Sequence, residues 1–165
     1  MYVTKRNGKK EEVYFDKITA RIKKLIKPNE EKHINATLIG QKVVGFIHPG
    51  ITTEELDIES SKICVNLCTT HPMYSELGGR ILVSNLHKKT LSSYSETVMR
   101  VKNDTDFYDS DYYDWVIENS KELDDMICYD RDYLFDYFGF RTLERAYLIK
   151  NQKSNYVYER PQHMF

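Results

Sequence analysis

Lys5-Arg6-Asn7-Gly8-Lys9-Lys10-Glu11-Glu12-Val13-Tyr14-Phe15-Asp16-Lys17 is the stretch whose reading decides the fold. Asn-Gly flanked by segments that alternate polar with β-branched or aromatic residues is a strong local hairpin signal. The turn is therefore placed at Asn7-Gly8. The strand before it carries Tyr2, Val3 and Thr4, and the strand after it ends in Val13, Tyr14 and Phe15. Asp16 then stands where a helix N-cap belongs, its carboxylate placed to accept amide protons from the first turn of a helix over 17–25. Amide groups at that helix start and the lysines and arginine of the hairpin converge on one place, which makes an anion-binding site.

Outward from the hairpin, hydrophobic spacing predicts four short helices. Ile18, Ile22, Leu25 and Ile26 form one apolar stripe, ended by Pro28 and Asn29. Asn35 caps a second helix with Ile39, Val43, Phe46 and Ile47 on its core face, stopped by His48-Pro49-Gly50. Thr52 and Glu55 make a capping box for a third, whose core side is Leu56, Ser60, Ile63, Cys64 and Leu67. His71-Pro72 starts a fourth, with Tyr74, Leu77, Ile81 and Leu82 inside, continuing through Asn85, Leu86, His87 and Lys88. Gly78-Gly79 within it costs roughly 1–2 kcal/mol relative to alanines, a cost normally accepted for close helix packing. The expected fold class is α+β, mostly α: a β-hairpin over four helices in residues 1–90.

The chain has 165 residues, 41% hydrophobic and 30% charged, the profile of a soluble protein with a buried core. It has neither a long apolar run nor a signal-peptide pattern near Met1, so the expected location is the cytoplasm, with no membrane partner. The Asn35-Ala36-Thr37 and Asn103-Asp104-Thr105 sequons then carry no meaning. Cys64, Cys68 and Cys128 read as free thiols, because an odd, sparse set offers no zinc or redox motif. The net charge of −1 conceals an asymmetry: 15 Lys+Arg face 10 Asp+Glu in residues 1–90, and 9 face 15 in 91–165. That shift marks a domain boundary near 90 and assigns any anionic ligand to the first half.

Residues 91–101 read as helical, and 103–114 as an acidic, aromatic loop or helix start. Trp115, Val116 and Leu123 suggest another helix, and Thr142 caps one over Leu143, Ala146, Tyr147 and Leu148. Tyr133-Leu134-Phe135-Asp136-Tyr137-Phe138-Gly139-Phe140 is more apolar than an exposed segment tolerates. With no core pattern of its own, this half reads as the beginning of a larger domain with an exposed aromatic face.

The sequence contains no Walker loop, G-x-G-x-x-G, H-E-x-x-H or G-x-S-x-G. His71, His87 and His163 read as capping or surface residues. The residues by themselves argue against catalysis and for binding of an anionic small molecule at the hairpin. Nucleic acid is a poorer fit, because the basic charge is not spread as a stripe.

Ordered motifs sharpen this. Val3-x-Lys5-Arg6-x-Gly8, Phe15-Asp16-Lys17-Ile18, Gly50-x-Thr52-Thr53-x-Glu55-Leu56-Asp57, His71-Pro72-x-Tyr74 and Asn85-Leu86-His87-Lys88 resemble the ATP cone of the class I ribonucleoside-diphosphate reductase large subunits, eukaryotic and viral type. Tyr129-Asp130-Arg131-Asp132, Tyr137-Phe138-Gly139-Phe140-x-Thr142-Leu143-Glu144-Arg145 and Glu159-Arg160-Pro161-Gln162-His163-Met164 are similar to the helices of that family leading into its α/β catalytic barrel, which is missing here.

The resemblance implies an allosteric site for ATP as activator or dATP as inhibitor, with magnesium on the nucleotide and no metal held by the protein. Lys5, Arg6 and Lys88 would face the phosphates. Glu11, Glu12, Val13, Tyr14, Phe15, Asp16 and Lys17 would line the base and the phosphate path, and Thr53 and Asp57 would lie near the ribose. It also implies the remainder of the large subunit, a small subunit and a second copy bound through the cone as partners, in deoxyribonucleotide synthesis for DNA replication. None of the three cysteines matches the family's catalytic motifs, which lie beyond the position of Phe165, so the chain alone is expected to bind nucleotide without reducing it. A stand-alone nucleotide-sensing or oligomerisation module is the alternative reading. Gly78-Gly79, where alanine is usual, is expected to loosen the fourth helix and weaken the Lys88 contact.

Overall fold

Gly8 closes the hairpin in the left-handed region, φ 78°, where a side chain would be strained. In the computed structural model, which describes residues 2–165, Gly8 N–H donates to Lys5 O and Lys5 N–H to Lys9 O, 2.9 and 2.8 Å. The turn is thus a three-residue loop, Arg6-Asn7-Gly8, with a glycine bulge. β1 (Tyr2–Thr4) and β2 (Lys10–Glu12) pair antiparallel with Val3 opposite Glu11. The second strand is shorter than expected. Val13 and Tyr14 lie outside it, and Phe15 already begins α1 (Phe15–Lys23).

That early start corrects the reading of Asp16. Tyr14 is the N-cap residue, its carbonyl accepting from Lys17 and Ile18, and no side chain caps the helix. The Phe15 ring packs beside Gly40, so residue 15 is already wound into the helix. Asp16 sits in the first turn, where its charge still suits the helix dipole. The helix also ends before Pro28. Leu25 and Ile26 follow in tight i→i+3 turns that keep both against the core, and Pro28–Glu30 forms a single 3₁₀ turn.

Asn35 caps α2 (Ala36–Val44) through Leu38 N–H at 2.9 Å. Ile39 and Val43 are fully buried, but Phe46 is 53% exposed. The helix stops at Val44, so the periodicity that placed Phe46 inside lapses before reaching it. α3 (Thr53–Asn66) has the reciprocal Thr52/Glu55 capping box, and α4 (Met73–His87) buries Tyr74, Leu77, Ile81 and Leu82. Burial pushes the Cys64 thiol up to about 12, so it packs as an inert hydrophobe. The fully sequestered Arg80 guanidinium grips Glu30 with both nitrogens. Losing one partner of such a pair costs about 3–5 kcal/mol, because the other charge stays buried alone.

α4 runs unbroken through Gly78-Gly79. A Cβ on Gly79 would lie 2.6 Å from the Asp136 carbonyl carbon and collide with Phe135 O. The missing methyl admits the backbone of 135–136. The chain accordingly divides into two compact units, Met1–Asn85 with Phe135–Phe140, and Leu86–Leu134 with Arg141–Phe165.

In the second unit, Ser93 caps α5 (Tyr94–Asp104) and Asp109 caps α6 (Ser110–Glu118), followed by α7 (Ser120–Met126). Asp124 ties α7 to the start of α5 by accepting from Ser93, Tyr94 and Ser95. This unit buries apolar side chains as well, among them Leu86, Val98, Val101, Val116, Leu148 and Tyr158. α8 (Tyr137–Ala146) passes through Thr142, which is therefore mid-helix. Asp136 takes the capping role, accepting from Gly139 N–H at 2.8 Å. Phe107, Trp115 and Tyr147 remain more than half exposed, as the aromatic composition suggests. α9 (Pro161–Met164) closes the chain. Among the described residues, no helix is long and apolar enough to cross a membrane.

Gly79→Ala should destabilise the protein by about 1–3 kcal/mol through overpacking, despite alanine's better helix propensity, as read from urea unfolding. Gly45→Ala, at a site with ordinary space and helical φ, should be near neutral. His163 is held neutral, its imidazole pushed down to about 4 mainly by burial and then by Arg160. The unfolded chain binds that proton more readily, so stability should fall as pH drops from about 6.5 towards 4. The fall in urea midpoint between pH 7 and 5 should be smaller in His163→Gln.

Candidate functional site

The hairpin is fastened to the start of α3, which brings its loop to the helix bearing Thr53 and Asp57. Thr4 N–H donates to Ile51 O at 2.9 Å, and Thr4 bridges Thr52 in parallel fashion. Thr53 and Asp57 are one turn apart on one face of α3. From the loop, Arg6 reaches both: its guanidinium lies 3.5 Å from Thr53 Oγ1 and 3.4 Å from Asp57 Oδ2, and it also donates to Asn85 Oδ1 on α4.

A second arginine meets the same carboxylate. Arg21 on α1 sets Nε 3.3 Å from Asp57 Oδ1 and a terminal nitrogen 3.4 Å from Oδ2, and donates to Ser84 Oγ at 2.8 Å. Asp57 is 6% exposed, so two cations surround a single sequestered anion. The group carries one net positive charge. Distances of 3.3–3.5 Å lie at the loose end of hydrogen bonding, so both guanidiniums retain capacity for a better anion.

The second cluster lies on the hairpin itself. Glu11 shares a face with its partner Val3, and there it accepts from both Lys5 and Lys17. These two lysines hold its carboxyl down to about 2. Here too one carboxylate offsets two cations. Lys17 also lies 5.0 Å above the Tyr14 ring, and Tyr14 donates to Glu12 at 3.0 Å, which raises its phenol.

Lys5, Arg6, Glu11, Lys17, Thr53 and Asp57 thus sit in two small ionic clusters of the first unit. Val13 packs against the core and the Phe15 ring turns to Gly40, so these two contribute framework, whereas Glu12, Tyr14 and Asp16 are exposed. Lys88 directly follows α4 and belongs to the second unit. Arg21, Ser84 and Asn85 were not foreseen from sequence. Arg21 follows Lys17 by four residues and so shares its helix face, and Asn85 is a polar residue one turn beyond the buried Ile81, both signals that could have been read.

Residues 1–89 match the family model described as ATP cone domain. Across 99% of its length the chain is 45% identical to the ribonucleoside-diphosphate reductase large subunit of Arabidopsis thaliana. It is 42% identical, over the same share, to the large chain from Schizosaccharomyces pombe and to the large subunit from variola virus. The alignments cover 21%, 21% and 22% of those proteins, so the chain spans about a fifth of the length of the curated relatives it matches.

Glu11→Gln should free both lysines and tighten binding of inorganic triphosphate about 3–10-fold, measured by calorimetry at low salt. In the unmodified chain, NMR titration of the Glu11 carboxyl should find it ionised to near pH 2. Its folded value lies below its ordinary 4.5, so its ion pairs contribute fully above that pH and are lost as pH falls through about 2.

Proposed function

The chain belongs to the ATP-cone domain family, and from that premise we propose that it is the allosteric nucleotide-binding part of a ribonucleoside-diphosphate reductase large subunit. ATP would bind as activator and dATP as inhibitor, with magnesium carried on the triphosphate. The observation that supports this best is the convergence of Arg6 and Arg21, from separate elements, on one sequestered carboxylate beside the lysine pair of the hairpin. Such an arrangement keeps cations gathered without a ligand and presents them to a polyphosphate.

In this reading Lys5, Arg6, Lys17 and Lys88 take phosphate oxygens, and Arg21 shifts between Asp57 and the ligand. Asp57 and Thr53 take the ribose hydroxyls. ATP and dATP differ only at the ribose 2′ position, so discrimination falls to whatever acceptor faces that carbon. The stretch 11–16 flanks the base. Residues 1–90 act as the regulatory domain, and 91–165 as the helical lead into the catalytic part. The reduction of ribonucleoside diphosphates belongs to the whole large subunit, with the rest of that subunit, a small subunit and a second copy through the cone as partners, in the cytoplasm. Cys64, Cys68 and Cys128 take no catalytic part.

Calorimetry on the 165-residue chain should show binding of both ATP and dATP, weakening with salt. Arg6→Gln should lower affinity for both by about 10-fold or more, the effect of losing a charge-assisted bond. Asp57→Asn should change the ATP to dATP affinity ratio. Absence of heat with either nucleotide at millimolar concentration would overturn the reading.

A further inference from the structure

The loop that closes the hairpin carries a reactive pair, Asn7-Gly8, that neither ionic cluster uses. Of the asparagines in the sequence, only Asn7 is followed by glycine. Both residues are exposed, and nothing lies within 4 Å of where a Cβ on Gly8 would stand, so no side chain screens that side of the loop. The Asn7 carboxamide turns along the chain past Gly8, and its Oδ1 accepts from Lys9 N–H at 3.1 Å. Residues 5–10 hold four cationic side chains and no carboxylate.

These contacts favour one reaction. When the Gly8 nitrogen adds to Asn7 Cγ, negative charge gathers on Oδ1, the atom that already accepts from Lys9 N–H. A backbone donor held where charge develops lowers the barrier to that step. The surrounding cations favour loss of the Gly8 amide proton to hydroxide, which must precede the attack. The new C–N bond closes a five-membered imide as the Cγ–Nδ2 bond breaks, and the leaving nitrogen takes a proton from water and departs as ammonia. Water then opens the ring at either carbonyl. The product is aspartate at position 7, or its isomer with the main chain routed through Cβ, and no atom changes oxidation state. One contact restrains the reaction: Gly8 N–H donates to Lys5 O at 2.9 Å, so the nitrogen is released only when the loop opens.

We propose that Asn7 is a self-modification site, converted to aspartate or isoaspartate within the hairpin loop, and that the new carboxylate weakens the hold of the hairpin on polyphosphate. The second part rests on the nucleotide reading above; the first does not. The charge enters between Arg6 and Lys9, where it competes with phosphate oxygens for the same cations. The isomer adds one main-chain atom to a three-residue loop, which cannot then keep both the Lys5–Lys9 and the Gly8–Lys5 bonds. The chain thereby records elapsed time as a charge on this loop.

Incubation of the 165-residue chain in mildly alkaline buffer tests both parts, with samples taken for peptide mapping by mass spectrometry and for calorimetry with inorganic triphosphate. The mass gain of an amide turned acid should appear at residue 7 ahead of every other asparagine, and the converted chain should bind triphosphate about 3–10-fold more weakly at low salt. Asn7→Ser, which keeps an acceptor for Lys9 N–H but has no carboxamide, should gain no mass there and hold its affinity through the same incubation. Asn7→Asp should show weakened binding from the start. No gain at residue 7, conversion without loss of affinity, or an Asn7→Asp chain that binds as well as the fresh parent would each overturn the proposal. A fresh parent chain that binds no triphosphate would bring down the nucleotide reading and the charge effect with it, and the mass map alone would then decide the modification.

Discussion

Asp57 is one carboxylate with two guanidinium partners, and the arrangement of the first unit depends on it. Arg6 arrives from the hairpin loop, Arg21 from α1, and the aspartate stands on α3, while Asn85 and Ser84 on α4 receive the donors left over. Four elements are thus tied through a single sequestered anion. A carboxylate removed from water is tolerated only when paired and hydrogen-bonded, so the elements cannot separate without exposing an unpaired charge to a poor environment. The loose distances keep the same network responsive. It is tight enough to hold positions and slack enough to exchange partners.

The hairpin needs a second fastening, because two three-residue strands are too short to be stable in water. Thr4 supplies it by pairing with Ile51, immediately ahead of the capping box at Thr52 and Glu55. The apolar contribution comes from Val3, which enters the core with Ile18, Ile22 and Ile51. Deeper in, the Arg80 and Glu30 pair joins α4 to the 3₁₀ turn after α1. Electrostatics thus acts at two depths: a closed pair that only supports the fold, and an open cluster near the surface that can exchange partners.

Much of this was legible in the chain because short-range rules governed it. The hairpin, the Asn35 cap, the Thr52/Glu55 box and the inner faces of the four helices follow from turn chemistry and spacing of about 3.6 residues. The misreadings share a cause in tertiary packing. Asp16 lost its capping place because Phe15 packs beside Gly40, and Phe46 came out because α2 ends two residues short of it. Thr142 yielded its cap to Asp136, seated where residues 135–136 press on Gly79. In the site, the charged residues of the hairpin could be named from their own neighbourhood. Arg21 and Asn85 left helix-face signals beside Lys17 and Ile81, but the partners they find, like that of Ser84, come from distant parts of the chain, which no local pattern announces.

The contact at Gly79 bears on modularity. The first compact unit is not one stretch of chain, since residues 135–140 return to it and lie against the glycine face of α4. A gene-level graft that transplanted only the leading ninety or so residues would carry a notch made for a strap left behind. Moving this unit into another protein therefore has to bring the strap along, or fill the notch with larger side chains.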